Sequence, residues 1–380
     1  MRECKREGCR VILLTAEKLR DADWPRESLD DTFYLPADLP VPEIVSAVTH
    51  LARSQKIDRI VALDEYDMET AATLREHLRI PGMGLTTMRY FRDKLAMRMR
   101  ALDRNVRVPD FVPVVNHDDI RYYLEHVPGP WVLKPRQEAS AIGIKKIHAA
   151  EELWPVLEQL GDKQSTFLLE KFVPGEVYHV DSVVSESEVL FANVSKYGKP
   201  PMNVAQGGGI FTTYTVPRGS DADSGLRAIN RDLIAALGLV RGVAHGEFIQ
   251  ANADGQFYFL ECAARVGGAY INEMVEAATG INLWREWARV EVAGADGSYK
   301  LPPMREEYAG VILSLARQEN PNTSAYNEPE VHLRIKKHHH AGLVLRSADP
   351  LRVPALLESY TRRFAEEFLA IAPPRDKPTA

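Results

Sequence analysis

The chain has 380 residues, with 47 Lys+Arg against 53 Asp+Glu, a net charge of −6 and 45% hydrophobic residues. That length exceeds one compact core, so two or three packed subdomains are expected. The negative balance argues against nucleic acid as the main partner, because phosphate binding needs an excess of Lys and Arg. No apolar run approaches the roughly 18 residues of a membrane span.

MRECKREGCR lacks the apolar core of a signal peptide. Cys4, Cys9 and Cys262 show no zinc-like spacing and cannot all be disulfide-bonded, which fits a reducing cytoplasm.

In chain order, Arg10–Thr15 and Asp58–Leu63 read as buried parallel strands, short, β-branched and closed by polar residues. Asp67–Leu78 carries apolar residues at helical spacing and ends near Pro81-Gly82. Strands alternating with helices imply an open α/β sheet over residues 1–85. Met1–Gly8 reads as part of a helix preceding a strand, so a first strand is expected to be missing. Arg10–Thr15 should then lie at an open edge, with pairing of two copies of the chain into a homodimer as a corollary.

Thr86–Leu102 reads as one helix and Trp131–Lys134 as a strand. The polar loop Pro135–Ile142, the strand Gly143–His148 and a helix over Ala149–Leu160 follow. Strands are expected at Phe167–Phe172 and Glu176–Val184, broken at Pro174-Gly175, with Ser187–Val194 as a return arm. A helix over Asp221–Leu237 precedes the hairpin of Gly242–Ile249 and Gln256–Glu261, turning near Asp254. This pattern is α+β, assigned to residues 86–300. Strands at Gly310–Ala316, Val331–Ile335 and Leu343–Arg346 and a helix over Leu351–Ala370 make a C-terminal α+β subdomain, 301–380.

Four segments carry chemistry. Phe91-Arg92-Asp93-Lys94 places a Lys on a helix, which alone is ordinarily a solvated charge. Trp131–Pro135 ends a strand on Lys134, and a half-buried Lys needs an anionic partner. The small-residue loop behind it, Gln137–Gly143, can bring backbone N–H groups close to phosphate oxygens. No GxxxxGK[ST] occurs, so this is not a Walker loop. Leu169–Glu176 is a strand broken by Pro-Gly, able to read a flat purine edge with backbone groups; a plain type II turn reads equally well. Glu247 and Glu261 sit one on each arm of the hairpin. Two such carboxylates need a cation, and oxygen ligands with room for water and phosphate describe Mg²⁺ on a nucleotide. Arg265 adds a forked donor four residues on.

In order and spacing these segments resemble the ATP-grasp superfamily of carboxylate–amine ligases, from about Met88 to Ile281. The resemblance implies an ATP-grasp fold preceded by a parallel α/β domain. It gives Lys94 and Lys134 to the nucleotide phosphates and the loop with Ser140 and Gly143 to covering them. Glu170, Lys171, Phe172 and Val173 form the adenine hinge, and Glu176 is the nearest residue for the ribose. Glu247 and Glu261 hold Mg²⁺, with Mn²⁺ an alternative, and Arg265 steadies the transferred phosphoryl group. Two positions depart from the family. Ala263 stands where an Asn usually follows the second metal Glu, and Val177 where a Glu often holds the ribose. Cys262 reads as a small core residue.

The implied reaction activates a small carboxylic acid or amino acid with ATP as an acyl phosphate, which an amine then attacks. Two alternatives stay open: a carbamoyl-phosphate-synthetase-like or carboxylase-like enzyme using bicarbonate, and a nucleotide-binding protein without catalysis. Lys196-Tyr197 and Gly207–Gly209 are expected in a loop where substrate could enter or as plain turn residues, and His338–His340 as a structural triplet separated by strand alternation.

Overall fold

The computed structural model describes residues 1–138, 143–202, 204, 208–294 and 298–371. The charged opening segment forms α1 (Arg2–Arg6) and leads into β1 (Ile12–Ala16). β1 pairs in parallel with β2 (Asp31–Leu35), which among the described residues is its sole ladder partner. Leu14 and Phe33 stand 37% and 40% exposed, so this small sheet is under-covered. Helices α2 (Val41–Ala52) and α3 (Met68–Leu78) follow, and Arg79 closes α3 in the left-handed conformation ahead of Pro81-Gly82.

The strand expected at Asp58–Leu63 does not form. Its backbone is engaged by side chains: Arg75 Nε donates to the Ile60 carbonyl at 2.7 Å. Arg59 Nε donates outward to the Glu291 carbonyl at 2.9 Å. Ala62 and Val61 still reach the two main cores, which explains their apolar character without a ladder.

The single helix expected over Thr86–Leu102 is two, α4 (Leu85–Arg89) and α5 (Lys94–Asp103). Asp93 makes the break. Its carboxylate caps α5, accepting from the Leu95 and Ala96 N–H groups at 3.0 and 3.4 Å. Lys94 therefore starts a helix instead of sitting in the middle of one.

A four-stranded sheet comes next, built from β3 (Phe111–Pro113), β4 (Trp131–Pro135), β5 (Lys145–Ile147) and β6 (Phe167–Lys171) in the order β3-β6-β4-β5. Helices α6 (His117–His126) and α7 (Ala150–Leu160) cover its apolar side through Ile120, Leu153 and Leu157. Gly143 closes the loop before β5 with φ +71°, where a Cβ would stand 2.9 Å from Pro135 Cγ.

The larger sheet holds β7 (Gly175–Ser185), β8 (Glu188–Tyr197), β9 (Phe211–Thr215), β10 (Gly242–Ala251), β11 (Phe257–Ala263), β12 (Tyr308–Leu315), β13 (Val331–Lys337) and β14 (His340–Ser347). Its order is β11-β10-β7-β8-β9-β12-β14-β13, so it runs across the boundary drawn at residue 300. One face packs on α5 and α8 (Asp221–Leu237) through Met97, Leu233, Phe248 and Phe259. The other carries α9 (Ile271–Thr279) and α10 (Leu283–Ala293), while α11 (Arg352–Glu367) covers β12 and β14. No helix among the described residues is long and apolar enough to cross a membrane.

Candidate active site

Glu247 on β10 and Glu261 on β11 are direct cross-strand partners, which puts both side chains on one face of the hairpin. The next step of the ladder slips, Phe248 pairing with Phe259, so a bulge on β11 sits beside the pair. Lys94 crosses from α5 to Glu261 Oε2 at 3.0 Å, and its ammonium also donates to the Glu138 carbonyl at 2.6 Å. Burial works against the charge on Glu261, yet Lys94 and Lys134 override it and hold the carboxyl below its usual range. Glu247 accepts a hydrogen bond from the Tyr197 hydroxyl at 2.7 Å. Burial and then Glu247, with Asp181 and Glu261 further off, push that phenol well above its ordinary value, so both carboxylates converge on Tyr197.

The smaller sheet brings the other lysine. Lys134 is buried on β4 and hydrogen-bonded to Glu170 Oε1 on β6, while Arg98, fully buried on α5, pairs with Glu170 Oε2 at 3.0 Å. Two cations thus share one carboxylate. Burial pulls Lys134 down to about 8, though Glu170 resists the shift. Burial alone would raise the Glu170 carboxyl, but Arg98 and Lys134 keep it below its usual range. Arg136, next after β4, grips the α5 cap Asp93 with Nε at 2.9 Å and its carbonyl takes the Lys94 N–H at 2.8 Å. The start of α5 is thereby anchored to the end of β4.

Along the hinge, the Lys171 and Phe172 N–H groups bond to the Asp110 and Pro130 carbonyls at 2.8 and 2.9 Å. That leaves Val173 as the hinge N–H without a partner among the described residues. Lys146 Nζ stands 3.8 Å above the Phe172 ring. Glu170 serves through its side chain, a role the hinge reading did not include. Gly175 is required just beyond, since a Cβ there would lie 2.0 Å from the Gln250 carbonyl oxygen.

Not every expected residue joins the cluster. Glu176 leaves β7 on the face opposite Glu247 and pairs with Lys196. Lys196 and Tyr197 end strand β8 and are not in a loop. Arg265 lies beside neither lysine; it reaches Glu65 at 3.2 Å and the Val266 carbonyl at 2.9 Å. Ser140 and Gly207 lie outside the described residues. His338 and His339 form the turn between β13 and β14, so a tight turn, not strand alternation, separates the triplet. Cys262 is buried in the core, and burial followed by Glu261 raises its thiol far above the ordinary value.

Sequence reasoning missed Arg98, Tyr197 and His245 as site residues. Arg98 had a signal, sitting four residues after Lys94 on the same helix face. His245 had one too, two residues before Glu247 on a strand. Tyr197 was read only as a loop residue near a substrate entrance, since its contact with Glu247 depends on how β8 and β10 flank β7.

The four-stranded sheet set against the larger one is an ATP-grasp fold, shared with solved ligase structures. Across 97% of this chain and 94% of the other, it superposes on an L-amino acid ligase from Bacillus licheniformis with a TM-score of 0.73 at 19% identity. In sequence it is 26% identical over 256 residues to an L-arginine-specific L-amino acid ligase of Bacillus subtilis, covering 65% of this chain. An alanine–anticapsin ligase of the same organism is 25% identical over 272 residues, again 65% of this chain. The chain spans 60% and 56% of the lengths of these two relatives. No family model matches it.

Proposed function

We propose that the chain is an ATP-dependent carbon–nitrogen ligase that joins a small carboxylic acid, an amino acid above all, to the amine of a second small molecule. The observation that carries this reading is the Glu247–Glu261 pair, opposed across a hairpin and faced by a lysine ammonium 3.0 Å from Glu261. The named activities of the two bacillary relatives, both amino-acid ligases, support the substrate class.

The chemistry follows from the charges. A carboxylate resists attack because its leaving group would be oxide. Transfer of the ATP γ-phosphoryl group to one carboxylate oxygen yields ADP and an acyl phosphate. The amine then attacks the carbonyl carbon, inorganic phosphate leaves and the nitrogen loses a proton. Lys94 and Lys134 neutralise the oxygens of the moving phosphoryl group. Arg98 keeps Glu170 neutralised, so Lys134 retains a net charge to offer phosphate. The Val173 N–H reads the purine edge, with Val173 itself packed on Val177 and Ile249. Glu247 and Glu261 fit a divalent cation, being all-oxygen donors of which one already holds an ammonium. Glu247 and Glu261 would hold such an ion, whose positive charge would offset that of the phosphates.

The test is ADP release by the purified chain with pairs of L-amino acids, with product mass read in parallel. Turnover that needs an amino acid and an amine, with a product of their summed mass less water, supports the ligase. Turnover that needs bicarbonate, or nucleotide binding with no ADP release under any pair, overturns it.

A further inference from the structure

His245 stands two residues before Glu247 on β10, so the two side chains leave the same face. Its cross-strand partners are Ala263 on β11 and Asp181 on β7, and the imidazole turns toward β7. His245 Nδ1 is 2.8 Å from Asp181 Oδ1. Its Nε2 lies 3.5 Å from Glu247 Oε1 and 3.3 Å from the Tyr197 hydroxyl. Asp181 is in turn fixed by His179 Nδ1 at 2.7 Å, and His179 Nε2 by Thr213 Oγ1 at 2.7 Å.

The trio His179, Asp181 and His245 has ligand atoms mutually within 4.8 Å. It is not itself an ion site. Both Asp181 oxygens are taken by imidazole nitrogens, both His179 nitrogens have partners, and His179 and Asp181 are fully buried. The arrangement instead matches a metal-ligating histidine with its outer support: one ring nitrogen bonded to a buried carboxylate, the other beside Glu247 of the pair that seeks a cation. A separation of 3.5 Å between Nε2 and Oε1 lies in the range of neighbouring ligands on one ion with bonds of about 2.0–2.2 Å.

We propose that His245 Nε2 is a third ligand of the cation held by Glu247 and Glu261, so that the site takes a first-row transition ion such as Mn²⁺ or Co²⁺ in preference to Mg²⁺. This rests on the reading of Glu247 and Glu261 as the metal pair. Magnesium takes oxygen and dehydrates reluctantly, whereas an imidazole in the donor set shifts affinity along the transition series.

The experiment loads the full chain with one equivalent of Mn²⁺ and excess ADP, counting bound Mn²⁺ by electron paramagnetic resonance. Electron spin-echo modulation then looks for directly coordinated ¹⁴N. The expected result is one bound Mn²⁺ with imidazole nitrogen coupling, lost in His245→Gln with an affinity drop of about tenfold for Mn²⁺ and little change for Mg²⁺. Asp181→Asn keeps the imidazole and should keep the coupling while weakening Mn²⁺ about tenfold. That variant carries the test if His245→Gln does not fold. Bound Mn²⁺ without nitrogen coupling, or coupling that survives in His245→Gln, overturns the role of His245 alone. Mn²⁺ binding unchanged in both Glu247→Gln and Glu261→Gln overturns the metal pair itself.

Discussion

Glu247 and Glu261 face each other across one rung of the β10–β11 ladder, yet each is held by a different layer of the protein. Glu261 is tied to Lys94 of α5 and Glu247 to Tyr197 of β8. Separate partners thus offset the repulsion of two acids held on one rung.

Replacing either acid with Gln keeps the shape and removes a charge. Phosphoryl transfer should fall at least about a hundredfold, the scale of losing one preorganised electrostatic contact. Nucleotide affinity by calorimetry should fall far less, since Lys134 and the hinge remain. Full turnover in Glu261→Gln would refute the assignment of the pair.

Lys134 sets a pH dependence. Its amine titrates near 8 in the free protein, so the ammonium that meets phosphate is present below that value and lost above it. The kcat/KM for ATP should therefore decline as pH rises through about 8. Lys134→Arg, charged throughout, should flatten that limb, and an unchanged profile in the variant would remove Lys134 from the phosphate site.

Arg98 is predicted to matter for stability and for affinity together. Arg98→Met leaves Glu170 with one cation in place of two, and should lower the unfolding free energy by about 3 kcal/mol in urea titrations. It should also raise the KM for ATP, because the Lys134–Glu170 pair becomes neutral overall. The Glu170 carboxyl is held low in the fold, so its stabilisation is complete above the unfolded carboxylate pKa and lost as pH falls through the folded one. Acid titration of the wild type should show this loss, and Arg98→Met should move it to higher pH.

Glu65 pins Arg265 from the N-terminal region at 3.2 Å. The resemblance gives Arg265 a hold on the transferred phosphoryl group. On that role Glu65→Gln, which loosens the guanidinium, should lower kcat while ADP affinity stays within about twofold. An unchanged kcat would remove Arg265 from the reaction. Equal losses in both would place Glu65 in nucleotide binding instead.

The hairpin was legible because period two and the Ala253-Asp254-Gly255 turn fix which residues oppose one another, and Glu247 and Glu261 follow from that arithmetic. Lys134 was legible as a charge ending an apolar strand. The break at Asp93 was not, since Thr86–Leu102 reads as unbroken helix until Arg136, forty-three residues away, is seen gripping the cap. Asp58–Leu63 failed for a similar reason. Its apolar pattern is real, but the Arg75 side chain from α3 takes a carbonyl that a neighbouring strand would have used. The Tyr197 contact to Glu247 was hidden for a third reason: strand order, which brings β8 near β10 across β7, is not written in any local period.

The four-stranded sheet is spliced into the chain between α5 and β7, entering through residues 104–110 and leaving through Phe172–Pro174. Lys134 and Glu170 ride on that insert, while Glu247 and Glu261 belong to the larger sheet. The two halves of the charge balance are thus mounted on separate plates joined by two short straps. A polyanion lying between them would weld the plates together, and its departure would leave Lys134 and Arg98 sharing Glu170, with Glu261 held by Lys94. The cluster around Glu170 thus keeps one net positive charge when the cleft is empty, which draws in the next polyanion.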